Sequence, residues 1–121
     1  MIVINNEDYA IWYRDMSEDM KKYEGKTVMF TARALTRRTA SNFFLIGRHV
    51  MTCCTEDIQF AGLVCCWDKD KINTLGKDQW VTVTATIHRK FHPAYGGKGP
   101  VLTATDVIAA KAPEPQVATF Y

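Results

Sequence analysis

Gln79-Trp80-Val81-Thr82-Val83-Thr84-Ala85-Thr86-Ile87-His88-Arg89 alternates between apolar and polar residues. Successive side chains of a strand point to opposite faces. Val81, Val83, Ala85 and Ile87 therefore fall on one face, and Thr82, Thr84, Thr86 and His88 on the other. Such a pattern suits a half-buried strand and contradicts the 3.6-residue period of a helix. The same period returns upstream, where Val28, Phe30, Ala32 and Ala34 face one way and Thr27, Met29, Thr31 and Arg33 the other. Further apolar runs predict strands over residues 43–50, 58–66 and 101–110.

The segments between these runs are polar. Thr36 to Asn42 reads as a turn region, and residues 68–78 as a charged connector with one helical turn. Residues 93–100 read as a hairpin loop from their Gly and Pro content. Ala112-Pro113-Glu114-Pro115 stops the last strand and leaves an extended tail. Upstream, Trp12, Met16, Met20 and Tyr23 recur at helical spacing, with Asn5 or Asn6 as a cap and Gly25 as terminator. Ser17-Glu18-Asp19 would recap a second short helix, so a break is expected near residues 15–17. The predicted fold class is all-β with an N-terminal helix. Its architecture is a five-stranded OB-fold-like Greek-key barrel under a helical lid, with an SH3-like barrel as the alternative. The expected organisation is a helical segment over 1–25, a barrel over 26–112 and a tail over 113–121.

With 121 residues and 47% apolar content, the chain has material for one modest core. A formal net charge of +2 does not announce a polyanion partner. No apolar run approaches the ~20 residues of a membrane span. Met1-Ile2-Val3-Ile4 passes at once into Asn5-Asn6-Glu7-Asp8, unlike a signal peptide, so a soluble domain is expected.

Reactive residue types concentrate in Gly47-Arg48-His49-Val50-Met51-Thr52-Cys53-Cys54-Thr55-Glu56-Asp57. Adjacent cysteines on a strand point apart, so Cys53 and Cys54 share one environment only where the backbone bends. With a turn there, His49, Cys53, Cys54 and Asp57 converge as mixed N, S and O ligands of the kind zinc accepts. The alternative is structural: one Cys packs as a small apolar residue and Asp57 caps backbone amides. Cys65 and Cys66 close the third strand and read as packing residues. If strands two and three form a hairpin, Val50 lies near Ile58 and Cys65 near Phe43. The two Cys pairs then stand some ~20 Å apart at ~3.3 Å per residue, beyond the ~7 Å a disulfide spans.

A second constellation is basic: Arg33, Arg37, Arg38, Arg48, His88, Arg89, Lys90, His92 and Lys98, with Phe43, Phe44, Phe91 and Tyr95 interleaved. On a five-stranded barrel of this type, cations can track phosphates while aromatics stack bases. Arg33, Arg37, Arg38, Phe43, Arg89, Lys90 and Tyr95 are accordingly the candidate residues for single-stranded nucleic acid. Hydrolase, P-loop and metalloprotease motifs are absent from the sequence, which favours a non-enzymatic module.

Phe44-Leu45-Ile46-Gly47-Arg48, followed by Met51-Thr52-Cys53-Cys54, Asp57 and Gly62-Leu63-Val64, resembles the C-terminal domain of the bacterial DUF1980 family. The resemblance implies an accessory domain of membrane-anchored proteins that are paired with a permease. It nominates Arg48, Cys53, Cys54 and Asp57 as motif positions without assigning them a chemistry. It also implies a membrane-associated setting for a longer chain. The extra pair Cys65-Cys66 departs from the family pattern.

Overall fold

The period-two stretches become the long strands of the protein. In this computed structural model, which describes residues 1–36, 42–52 and 57–120, seven strands belong to one mixed sheet. They are β1 (Ile2–Val3), β2 (Thr27–Leu35), β3 (Phe43–Met51), β4 (Gln59–Cys66), β5 (Gln79–His92), β6 (Gly97–Ala109) and β7 (Ala118–Thr119). Helix is sparse. A 3-10 turn, Asn6–Asp8, leads into α1 (Tyr9–Glu18), then come α2 (Met20–Tyr23) and the short α3 (Lys69–Ile72).

The five long strands pair in a circuit. β2 pairs with β5, β5 with β6, β6 with β4 and β4 with β3. β3 returns to β2 through Arg33–Gly47, Ala34–Ile46 and Leu35–Leu45. β4 and β6 run parallel, and the other pairings of the circuit are antiparallel. Val28, Phe30, Ala32 and Ala34 of β2 and Val81, Val83, Ala85 and Ile87 of β5 are all buried, as their alternation requires. Phe44 and Ile46 of β3, Leu63 and Cys65 of β4 and Leu102 of β6 complete the same core.

α1 supplies its apolar stripe to that core. Tyr9, Trp12 and Met16 are buried, at spacings of three and four that place them on one helix face. The Trp12 ring lies 5.0 Å from Phe30 and the Tyr9 ring 5.9 Å from it. Burying each such side chain contributes about 1.5–3 kcal/mol, so this face, rather than helix propensity, holds α1 in place. Gly25 ends the helical region at φ +78, and its N–H donates to the Ile87 carbonyl as the chain turns into β2.

Several expectations need correction. The helix breaks at Asp19, not near residues 15–17, because the Ser17 hydroxyl bonds back to the Tyr13 carbonyl instead of capping a new turn. Asn5 leads the 3-10 turn without a side-chain hydrogen bond. The hairpin loop is shorter than expected. β5 runs to His92 and β6 starts at Gly97, since the ladder from Arg89–Pro100 to His92–Gly97 holds the Gly-rich stretch extended. The strand register is one residue off the expected one: Val50 faces Gln59 and Cys65 faces Phe44. β1 and β7 went unforeseen within the segments read as helical and as tail. Each has two residues and pairs in parallel, β1 with β2 and β7 with β3. Among the described residues no helix is long and apolar enough to cross a membrane.

Candidate functional site

β3 carries the nominated segment, and its period explains where each residue goes. Phe44 and Ile46 face the core, so Arg48, two residues on, faces inward as well. Arg48 is 1% exposed. Its Nη1 donates to the Asn6 carbonyl at 2.7 Å, and its Nη2 donates to the carbonyls of Pro115 and Gln116, each at 3.2 Å. The guanidinium also lies 5.6 Å from the centre of the Tyr9 ring. Burial lowers its pKa from the ordinary guanidinium value, with the Tyr9 phenol opposing. The ion pairs among the described residues are Lys22–Asp15 and Arg33–Asp78, so Arg48 is compensated by carbonyl dipoles instead of a carboxylate. It ties the segment before α1 and the segment before β7 to β3. A cavity of about 280 Å³ beside it is walled by Glu7, Glu114, Val117 and Thr119.

Gly47 is needed here for space. It is paired with Arg33 on β2 and with Gly62 on β4. A Cβ at position 47 would stand 2.1 Å from the Ala61 carbonyl oxygen. The Tyr9 hydroxyl donates to that same Ala61 carbonyl at 2.7 Å. Burial, reinforced by the neighbouring Tyr13, pushes the Tyr9 phenol far above its usual range.

The remaining nominated residues are less concentrated. His49 is paired across the sheet with Phe60, and their rings meet edge-on at 5.2 Å. Thr52 donates its hydroxyl to the Asp57 carboxylate at 3.3 Å. Cys53 and Cys54 lie outside the described residues, as do Arg37 and Arg38. Among the described residues no cluster of three or more His, Cys, Asp or Glu side chains suits a metal ion. Cys65 is buried and Cys66 half-buried, both as free thiols. Burial pushes both thiols above their ordinary range, with Lys90 opposing at Cys66.

The basic constellation is only partly assembled. Phe43 of β3 meets the His92 ring at 4.5 Å, and His92 lies 6.3 Å from Tyr95. Arg89 and Lys90 are exposed nearby on β5. The Tyr95 hydroxyl, however, accepts the Val64 N–H at 2.8 Å and donates to the Pro100 carbonyl at 2.6 Å. Arg33 is engaged by Asp78 at 3.7 Å and by the Trp80 ring at 6.0 Å. Arg48 is withdrawn into the interior, against the expectation that it joins a basic face.

Sequence reading missed a groove between β1 and α1. Its volume is about 480 Å³, with Ile2, Ile4, Ile11 and Trp12 on its apolar walls. Asp8, Arg14, Asp15, Glu18 and Lys22 contribute its charged rim. Asp15 accepts hydrogen bonds from Tyr23 and Lys22. Those two bonds, Tyr23's first, hold its carboxyl below the usual carboxylate range. The only signal in the sequence was the apolar Ile2 and Ile4 in a stretch too short to read as a strand.

The fold and these contacts define a small, mostly β domain whose buried Arg48 maintains architecture and which carries an apolar cleft of about 480 Å³ at a sheet edge. Residues 1–118 match the DUF1980 C-terminal domain, and the chain belongs to that family. No curated protein matches the chain. Among solved structures the chain is similar to a putative aspartyl-tRNA synthetase from Leishmania major Friedlin. The identity is 18% and the TM-score 0.48, over 73% of this chain and 18% of that one. The chain thus spans less than a fifth of that protein's length.

Proposed function

We propose that this DUF1980 domain is a non-catalytic binding module built on an OB-type barrel, and that its partner is a membrane permease. The circuit of β2, β3, β4, β6 and β5, with its parallel β4–β6 pair, supports the barrel reading. The observation that carries the binding reading is the groove of about 480 Å³ beside β1. Clefts of this size, apolar with a few polar groups, are common ligand sites in proteins. The permease partner follows from the family resemblance. The test is co-purification from detergent-solubilised membranes. The chain should retain the permease, and an Ile11→Lys variant should lose it. Retention of the permease by both forms would move the contact elsewhere.

Zinc at His49, Cys53, Cys54 and Asp57 belongs to the same proposal. The Thr52–Asp57 hydrogen bond supports it by drawing together the two ends of the segment that holds both cysteines. Protein purified without chelator or affinity tag should contain zinc and melt higher with added zinc. Metal-free protein indifferent to zinc removes this part. Single-stranded nucleic acid is a second reading, favoured by the meeting of Phe43 and His92 near Lys90. A labelled single strand that fails to bind below ~100 μM at low salt ends it.

A further inference from the structure

We propose that the groove and the open edge of β1 together accept an extended apolar peptide strand flanked by basic residues. This rests on the binding reading above and names what the site takes. The backbone of β1 specifies the extended form. β1 lies at one end of the sheet order. The Ile4 N–H donates to the Met29 carbonyl, so the backbone groups of Ile2 and Ile4 turn toward β2 and those of Val3 turn outward. An edge with free N–H and C=O groups is a template for another strand.

The side chains around that edge specify the apolar content. Met1 is 75% exposed, Val3 54% and Ile11 42%. Ile11 stands on α1 across the groove floor formed by Ile2, Ile4 and Trp12, while Met1 and Val3, out of step with Ile2 and Ile4, belong to the opposite face of the strand. Water contact with the apolar groove wall of Ile2, Ile4, Ile11 and Trp12 is unfavourable, and alternate side chains of a strand laid along β1 would cover it.

The rim specifies the charge. Asp15 is engaged by Lys22 and Tyr23, and Arg14 lies over the Phe120 ring at 4.8 Å. Asp8 and Glu18 form no ion pair among the described residues, which leaves the rim net acidic. A second copy of this chain docked groove to groove would set one net acidic rim against another, so the charge favours a different chain. Cytoplasmic loops that border a membrane span are rich in Lys and Arg, which fits such a loop of a permease as the source.

The test uses isotope-labelled protein and a blocked peptide of alternating Val and Thr with Lys at both ends. Controls carry Glu at both ends or Pro at the centre. The Lys-ended peptide should protect the Val3 N–H from exchange and shift the Trp12 indole N–H. It should bind about fivefold tighter than the Glu-ended one at low salt, and the Pro peptide should not bind. Val3→Pro should abolish binding and leave melting unchanged, because that amide serves no partner in β2. Ile11→Lys, at an exposed helix position, should do the same without touching the strand. No response at Val3 or Trp12 up to ~1 mM peptide, a range that captures even weak complexes, overturns the inference. So does equal binding of the Glu-ended peptide, or self-association that Ile11→Lys abolishes. A permease that co-purifies while the peptides leave Val3 unaffected sinks this site and spares the module reading. The converse result removes only the permease.

Discussion

At the scale of single residues, Arg48 and Gly47 show what the strand period demands. Phe44, Ile46 and Arg48 occupy successive inward positions, so a guanidinium ends a buried apolar row. Withdrawing a charge from water costs several kcal/mol, and hydrogen bonds to three carbonyls offset much of it. Arg48→Met should destabilise the protein by about 1–3 kcal/mol, the range for carbonyls left without their donor, water recovering part of it at the exposed ends. Lysine keeps the charge but presents a single nitrogen, so Arg48→Lys should recover only a fraction. Denaturant midpoints measure both, and an Arg48→Met variant as stable as the parent refutes the tie between the two terminal segments. Gly47→Ala should cost about 3 kcal/mol, the upper part of the overpacking range, because its Cβ would meet a backbone oxygen that cannot rotate away. Gly62→Ala should cost less, since its Cβ meets the Phe60 ring, which can turn. Equal losses at the two positions would contradict this account of the crossing.

At the scale of elements, the β5–β6 hairpin is longer than its partner strands, and Tyr95 explains how it is held. β2 follows β5 only as far as Thr27–Thr86, whereas β5 and β6 continue to His92–Gly97. The Tyr95 hydroxyl joins the Val64 N–H of β4 to the Pro100 carbonyl of β6. That bridge fastens the hairpin tip across the neighbouring strand. Tyr95→Phe keeps the ring and removes the bridge, and should cost about 1–3 kcal/mol for a partly buried amide and carbonyl left unpaired. Native-state hydrogen exchange should show the Val64 amide opening faster, by a larger factor than distant core amides that report the change in global stability. Unaltered Val64 protection would mean the tip is held by its ladder alone.

For the whole molecule, the titrating phenols and thiols of the interior shift in one direction. Tyr9, Tyr13, Tyr23 and Tyr95 all have raised pKa values, with burial the largest cause at each. Tyr95 is pushed up to about 12. A group whose folded pKa is raised binds its proton more tightly in the folded state. Its contribution is complete below the unfolded value of about 10 and is lost as pH rises toward the folded value. Cys65 and Cys66 act in the same sense from their lower starting point. Stability should therefore begin to fall at about pH 8.5, where the thiols of the unfolded chain ionise, and fall more steeply from about pH 10 to about pH 12. Most tyrosinate absorbance should appear together with loss of tertiary structure. Reversible titration of these tyrosines near pH 10 in intact protein would refute the burial account.

Much of this fold was legible from local pattern. The alternation in β2 and β5 is a period-two signal that survives any tertiary context, and it correctly assigned every inward residue of both strands. The helical spacing found Trp12 and Met16 on the face α1 buries, whereas Met20 and Tyr23 of the same stripe fall in α2, which buries no residue fully. Boundaries set by pairing were not legible. Gly97 and Gly99 read as loop because glycine has no side chain to declare a strand, and only the ladder with β5 makes them extended. β1 and β7 are too short to carry a period and exist because β2 and β3 offer them an edge. Arg48 illustrates the same division at the candidate site. Its position in the alternation already pointed it inward, but a cation in a buried row contradicts the usual partition of residue types. What makes it tolerable is carbonyls from positions 6, 115 and 116. Those groups are remote along the chain, and only folding brings them within hydrogen-bonding distance of β3.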